Sequence, residues 1–256
     1  MKPRILIILC LAFTAISLKA IAQNKESKDL STQLNHIKLN LTALVFKNYS
    51  VQYERILKKR SSVALSIRVM PSTSLPFKAW IRDYIIGDDP ETNKTLDQLR
   101  LSNFAITPEY RFYLGKKGYG RGIYIAPFYR FASFKTNTMV ITYQSTLTQQ
   151  NTIVMSGKMV NNTVGVLLGA QWLLGKNIDL DLWILGPHYG NGNGDFTGTT
   201  SKQLTPFEQG TLKKELEDLD IPLTHKTVEV NTNGASLFLN GPWAGLRAGI
   251  SVGFRF

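Results

Sequence analysis

The side chains that could do chemistry in this chain are few and scattered. His36, His188 and His225 are the only histidines, and no metal-ligand spacing relates them. His188 stands in Gly186-Pro187-His188-Tyr189. A hydrolytic or acyl-transfer site there would need a serine and a carboxylate beside the imidazole. No such serine is near in sequence, so a partner would have to come from another element. Gly190-Asn191-Gly192-Asn193-Gly194-Asp195 carries oxygen donors for calcium but only one carboxylate, and reads as a flexible turn. Gly115-Lys116-Lys117-Gly118-Tyr119-Gly120-Arg121-Gly122 has the glycines of a phosphate loop without its strand–loop–helix context, and also reads as a turn. Lys213-Lys214-Glu215-Leu216-Glu217-Asp218 has the spacing of intrahelical ion pairs on a solvated helix. No catalytic, cofactor or metal site is expected from these residues, and no cofactor is implied.

The elements that would have to position such groups come next. Formal net charge is +12 with a pI of about 9.7. The basic residues are dispersed and form no nucleic-acid module, so no nucleic-acid partner is expected; an anionic membrane surface fits better. Lys2 and Arg4 precede the apolar run Ile5–Leu18, and Ala20-Ile21-Ala22 offers a cleavage site before Gln23. Residues 1–22 are therefore expected to be a signal peptide and residues 23–35 a polar periplasmic lead-in. The single cysteine, Cys10, lies inside the signal, so the mature chain would carry no disulfide or thiol chemistry. No later apolar run reaches the roughly 18 residues of a membrane helix. If the mature chain spans a membrane, it must do so as a closed barrel, where every backbone group is paired.

Strand signals fill residues 36–256. The last segment alternates strictly, with Leu246, Ala248, Ile250, Val252, Phe254 and Phe256 opposite Arg247, Gly249, Ser251, Gly253 and Arg255. Its length suits a tilted membrane strand. A closing strand that ends on phenylalanine resembles the terminal strand of bacterial outer-membrane barrels, whose end is read by the insertion machinery; Ile250, Val252, Phe254 and Phe256 are the expected signal. Further strands are predicted over His36–Phe46, Tyr49–Ile56, Ser62–Met70, Phe104–Leu114, Ile123–Phe131, Thr163–Leu174 and Ile178–Pro187, about eight in all. Lys47-Asn48, Lys58–Arg60, Gly115–Gly122 and Gly175–Asn177 are short turns. Pro71–Asn103, Phe134–Asn162 and Tyr189–Pro242 read as long connections, the first with an aromatic patch at Trp80 and Tyr84 and a helix around Glu91–Leu101, the last with a charged helix near Phe207–Leu219. Three short turns fall at one end and all the long connections at the other, the distribution of outer-membrane barrels.

Alternation does not say which face is inner, and a soluble lipocalin-like barrel with an apolar ligand cavity stays open on these grounds. The polar face favours the membrane barrel. Glu54, Arg68, Glu109, Arg111, Arg130, Asp181 and Arg247 all lie opposite the apolar stripe. In a small barrel they would meet across a narrow lumen and pair there, making a plug rather than a pore. Pro108 and Pro127 fall mid-strand and predict bulges or shifted boundaries. Phe46, Tyr49, Phe104, Tyr124, Trp172, Trp183 and Trp243 fit interfacial girdles.

Asn40-Leu41-Thr42-Ala43-Leu44 with Lys47-Asn48-Tyr49-Ser50-Val51-Gln52-Tyr53-Glu54-Arg55 resembles the opening hairpin of a Bacteroidota outer-membrane barrel family, catalogued as domain of unknown function 3575. So do Thr107-Pro108-Glu109-Tyr110-Arg111-Phe112-Tyr113-Leu114-Gly115, Tyr124-Ile125-Ala126-Pro127-Phe128 and Gly169-Ala170-Gln171-Trp172. The resemblance runs from about Asn40 to Phe256 and is to a small barrel of the outer membrane protein A-like kind. It implies fold and location, and no activity. The expected protein is all-β: an up-and-down, antiparallel, transmembrane β-barrel of about eight strands, with long extracellular loops carrying short helices. It would be a monomer in the bacterial outer membrane. Its partners would be outer-membrane lipids and lipopolysaccharide, the barrel-insertion machinery, and whatever the outer loops bind. A non-enzymatic scaffold displaying those loops is the first functional expectation. A lipid-modifying enzyme using His188 is the second, and a small-solute channel the third.

Overall fold

A computed structural model describes residues 33–75, 77–83, 93, 96–219, 221 and 223–256. The signal segment, Cys10, Tyr84 and residues 91, 92, 94 and 95 of the expected helix around Glu91–Leu101 lie outside the described residues. The elements are β1 (Asn35–Asn40), α1 (Leu41–Val45), β2 (Tyr49–Lys58), β3 (Ser61–Ser74), α2 (Lys78–Ile81), β4 (Arg100–Tyr113) and β5 (Gly122–Gln144), followed by β6 (Gln150–Leu173), β7 (Ile178–Thr199), α3 (Pro206–Glu217), β8 (His225–Asn231) and β9 (Gly234–Arg255). All pairings are antiparallel, in the order β1-β2-β3-β4-β5-β6-β7-β9-β8, and β9 also pairs with β1. The sheet therefore closes into an eight-stranded barrel that leaves no free edge. Asn35 and Phe256 exchange backbone hydrogen bonds of 3.0 and 2.9 Å at the seam.

The barrel is built inside out. Ile37, Leu39, Val51, Val63, Leu65, Ile67, Phe112, Ile125, Val166 and Ile250 are exposed around its outside, while the alternate polar residues of the same strands are buried within. Such a belt far exceeds the scattered apolar exposure of a soluble surface. It also excludes the lipocalin-like arrangement, in which the apolar stripe would line the interior.

Several boundaries differ from those the sequence predicts. β1 stops at Asn40 because the Asn40 side chain accepts a hydrogen bond from Ala43 N (2.7 Å) and caps α1. An asparagine cap of this kind offers the backbone a local alternative to the ladder. Thr42 on α1 then accepts from Ile250 N at 2.9 Å, tying the helix over β9. Pro108 and Pro127 cause no bulge. Both lie on the β4–β5 seam, where pairing passes from Ile106–Phe131 to Glu109–Phe128 to Phe112–Ile125 in constant register. The missing N–H donors thus fall together in one locally open stretch. A register shift occurs instead between Trp183 and Gly186 of β7.

The largest difference is beyond the barrel. Phe134–Asn162 is mostly strand, closed by a short turn at 145–149, and Tyr189–Pro242 supplies the end of β7, α3, β8 and the start of β9. β5, β6, β7 and β9 continue past the rim and β8 is added to β9 there, giving one sheet on which α3 packs. Its core is Ile141, Tyr143, Ile153, Met155, Leu204, Leu212, Leu216, Leu237 and Leu239. Gly190–Asp195 is therefore not a turn or a calcium loop but a two-sided ladder segment, each residue paired with β6 and β9. α3 begins at a capping box: Thr205 Oγ1 accepts from Glu208 N, and Thr205 N donates to Glu208 Oε2 at 2.8 Å. Lys226 Nζ donates to the Glu217 carbonyl (2.5 Å) and to that of Leu219 at its far end.

The hydrogen bond from the Thr205 backbone holds the Glu208 carboxyl below the usual glutamate range. Its contribution to the helix start is fully present above the ordinary glutamate value and is lost as pH falls through the depressed one. Thr205→Ala removes the reciprocal bond and should weaken α3 by about 0.5–2 kcal/mol. Hydrogen exchange of the 206–217 amides should show this as local opening, with the barrel amides unchanged.

Candidate functional site

The lumen holds one continuous polar network to which all eight barrel strands contribute. Lys38 (β1) donates to Glu54 Oε2 (2.5 Å), Gln171 Oε1 (2.8 Å) and Asp181 Oδ2 (2.8 Å). Arg111 (β4) lies at its centre. Its Nε donates to Glu109 Oε1 (2.6 Å), Nη1 to Asp181 Oδ2 (2.7 Å) and Glu54 Oε2 (3.1 Å), and Nη2 to Gln52 Oε1 (2.8 Å). Tyr113 and Ser62 donate to Glu54, and Tyr124 of β5 donates to Asp181 (2.7 Å) while the Arg111 guanidinium lies over its ring. Arg247 (β9) reaches Glu109 Oε2 through both terminal nitrogens, at 3.1 and 3.2 Å. It is held between the rings of Phe128 and Trp183, 4.4 and 4.6 Å from their centroids.

Lys38, Arg111 and Arg247 are thus balanced by Glu54, Glu109 and Asp181, all buried. Buried charges are tolerated when paired and hydrogen-bonded, and each of these six is paired; Arg247 Nε alone among their polar atoms is buried without a hydrogen-bond partner among the described residues. Glycine provides room: a Cβ on Gly253 would come within 2.3 Å of Asp179 Oδ1 and 2.8 Å of Lys38 Cγ. Below the network, His36 Nδ1 meets Asp179 Oδ2 at 2.5 Å. The other imidazole nitrogen faces the turn at Gly120 rather than a nucleophile. Arg255 closes this end by donating to the carbonyls of Gln33 (2.6 Å) and Tyr119 (3.0 Å).

Of the residues singled out from sequence, Glu54, Glu109, Arg111, Asp181 and Arg247 meet in this network. Arg68 and Arg130 lie nearer the long-loop rim, in no ion pair among the described residues; Arg130 donates to Thr107 Oγ1 at 3.1 Å. Lys38, Gln52, Tyr113 and Gln171 were not singled out, and Tyr124 was expected in a girdle, although strand parity places each of them on the polar face. Ile250 and Phe254 are exposed on the outside at 43% and 51%, with Phe256 also exposed and Val252 half-buried. Phe46, Tyr49 and Phe104 are on the outside too. Tyr124 and Trp183 are instead buried in the lumen and Trp243 points into it, so these three are core aromatics, not girdle residues. His188 also faces inward, against Phe128 and Gly245, with Nδ1 buried and without a hydrogen-bond partner. Among the described residues no serine or carboxylate is hydrogen-bonded to it, as a hydrolytic site would require. Among the described residues no cluster of histidine and carboxylates could hold a metal.

A family model described as Protein of unknown function (DUF3575) matches residues 6–194. The chain belongs to that family. The match ends in β7, so β8 and β9, which the sequence reading had included in the resemblance, lie beyond it. Among solved structures, the chain is similar to the N-terminal β-barrel domain of Pseudomonas aeruginosa OprF, at 12% identity over 88% of this chain and 98% of that one, with a TM-score of 0.31. No curated protein matches.

Within this DUF3575 barrel, Arg111 is the residue whose loss strands the most charge. Removing one partner of a buried ionic network costs about 3–5 kcal/mol. Arg111→Met should lower the unfolding free energy of the barrel, read from urea titration in detergent micelles, by an amount in that range, whereas Arg55→Met, on the exposed face, should leave it within about 0.5 kcal/mol.

Proposed function

We propose that the protein is an exported outer-membrane β-barrel that holds a rigid folded lobe at the cell surface, and that it acts as a non-enzymatic scaffold for binding or envelope stability. One observation carries this reading: the closed barrel has its apolar side chains outside and its charges inside. Only lipid makes that arrangement favourable, because a water-facing belt of this extent would associate. The balanced plug argues against a conducting pore. The long-loop end would face the exterior, so the lobe built on α3 and β8 would be the surface a partner meets. Its solvent side carries Lys213 and Glu217, whose exposed pair is 3.8 Å apart. Pairs of that kind contribute little to stability and leave their charges available. The closing strand, with Ile250, Val252, Phe254 and Phe256 toward lipid, is the segment we assign to recognition by the insertion machinery.

Heat-modifiable migration tests the membrane reading. The unboiled protein from outer-membrane fractions should run faster than the boiled one, and the purified chain should need detergent to stay in solution. Leu65 lies mid-strand on the outside of β3 and is 43% exposed. In a bilayer, Leu65→Arg should destabilise the barrel by roughly 2–4 kcal/mol, the cost of a charge near the midplane. In a water-facing barrel the same change would be close to neutral. A neutral result together with solubility in the absence of detergent would overturn the proposal. Protease added to intact cells should cut within the lobe and spare the barrel.

A further inference from the structure

Above the neutral plug the lumen changes character. A partly open cavity of about 190 Å³ is lined by Arg130 of β5, Asn161 and Thr163 of β6, His188 of β7 and Trp243 and Gly245 of β9. Its volume is enough for about six waters at roughly 30 Å³ each, hence for a tetrahedral oxyanion with part of its hydration. Phe134 and Trp243 meet across its outer side, ring centroids 5.8 Å apart.

The charge around this chamber is one-sided. Arg68 of β3 is in register with Ala105 of β4, and Ala105 with Ala132 of β5, which lines the chamber beside Arg130; Arg247 enters the lumen from β9 just below. The carboxylate beside them is Glu109, whose oxygens are taken by Arg111 and Arg247. Arg68 and Arg130 are therefore in excess of the balanced network. Unused hydrogen-bonding groups cluster at the same level. Arg68 Nε, His188 Nδ1 and both polar atoms of the Asn161 side chain are buried without a hydrogen-bond partner, and Asn161 itself is only 1% exposed. Structures rarely leave so many buried polar atoms unmatched in one place unless something else completes them.

We propose that this chamber is a binding site for a phosphate-type oxyanion, held by Arg130 and Arg68 with Asn161 and His188 as neutral partners. Guanidinium groups present planar pairs of N–H donors that match two oxygens of one anion, and they form their strongest hydrogen bonds to such groups. A bound dianion would compensate the two excess arginines and give the idle donors acceptors. The anion could be free phosphate entering by the lumen mouth or the headgroup of a phosphomonoester lipid. The chamber belongs to the barrel interior whatever surrounds the outside, so this proposal and the membrane reading fail separately.

The test uses the purified full barrel in zwitterionic micelles at fixed chloride, titrated with inorganic phosphate. Calorimetry and the fluorescence of Trp243, which lines the site, are the readouts. Saturable binding is expected, weakened about tenfold or more by Arg130→Gln or by Arg68→Gln, as charge-assisted bonds are lost. Asn161→Leu, which removes no charge, should also weaken it. Each variant should retain its heat-modifiable band, since each removes repulsion or an unpaired group. A second arm replaces phosphate with micelles containing phosphatidic acid, with phosphatidylcholine as control. Response to phosphate assigns a soluble ligand; response to phosphatidic acid alone, with the same dependence on Arg68 and Arg130, assigns a lipid headgroup. Absence of saturable binding in both arms, or binding indifferent to the variants, overturns the proposal while an unchanged band shift leaves the barrel reading standing.

Discussion

A charge enclosed in a narrow lumen has to be answered within that lumen, and most of this structure can be traced to that requirement. Arg111 is surrounded by Glu54, Glu109, Asp181 and Gln52, contributed by three different strands. Lys38 joins Glu54 and Asp181 from the other side of the ring. Because the members are spread over all eight barrel strands, the network forms only when the sheet has closed in the correct register. A slip of one residue along any strand would turn a charge outward and an apolar residue inward. The network is therefore weak evidence for raw stability, yet it specifies one closure of the barrel.

The same constraint explains where small side chains fall. Tyr124 can reach Asp181 because Gly169 leaves its ring space; a Cβ there would lie 2.3 Å from Cζ. On the outside no such fitting is needed, and the exposed positions are simply large and apolar. Interior positions are chosen for complementarity, and exterior ones for their solvent.

Beyond the rim the packing rule reverses. The four barrel strands that continue outward place Ile141, Ile153, Met155, Leu237 and Leu239 beneath α3 and leave their polar residues to water. One set of strands thus serves two environments, inside-out in the barrel and conventional in the lobe. Between the two lies the chamber of Arg68, Arg130, Asn161 and His188, where neither rule is satisfied by protein groups alone. That is why a ligand is the natural completion there.

Strand alternation and the bias of short turns to one end were legible in the sequence because each is a local property of consecutive residues. So was the membership of Glu54, Glu109, Arg111, Asp181 and Arg247 on a single face, since parity along a strand is fixed by backbone geometry. Lys38 was equally placed by parity, but its importance comes from Glu54, Gln171 and Asp181, remote in the chain and visible only after closure. The strands of the lobe were hidden for a similar reason. Their few apolar residues are diluted among threonine, asparagine and glutamine, and acquire a core only when α3 is laid across them. Gly190–Asp195 looked like a turn because glycine and asparagine favour turns; it became strand because β6 and β9 supply partners on both sides. Local pattern determined which face each residue takes. Tertiary structure decided which faces meet, because pairing across a closed sheet depends on register and distance that no single stretch encodes.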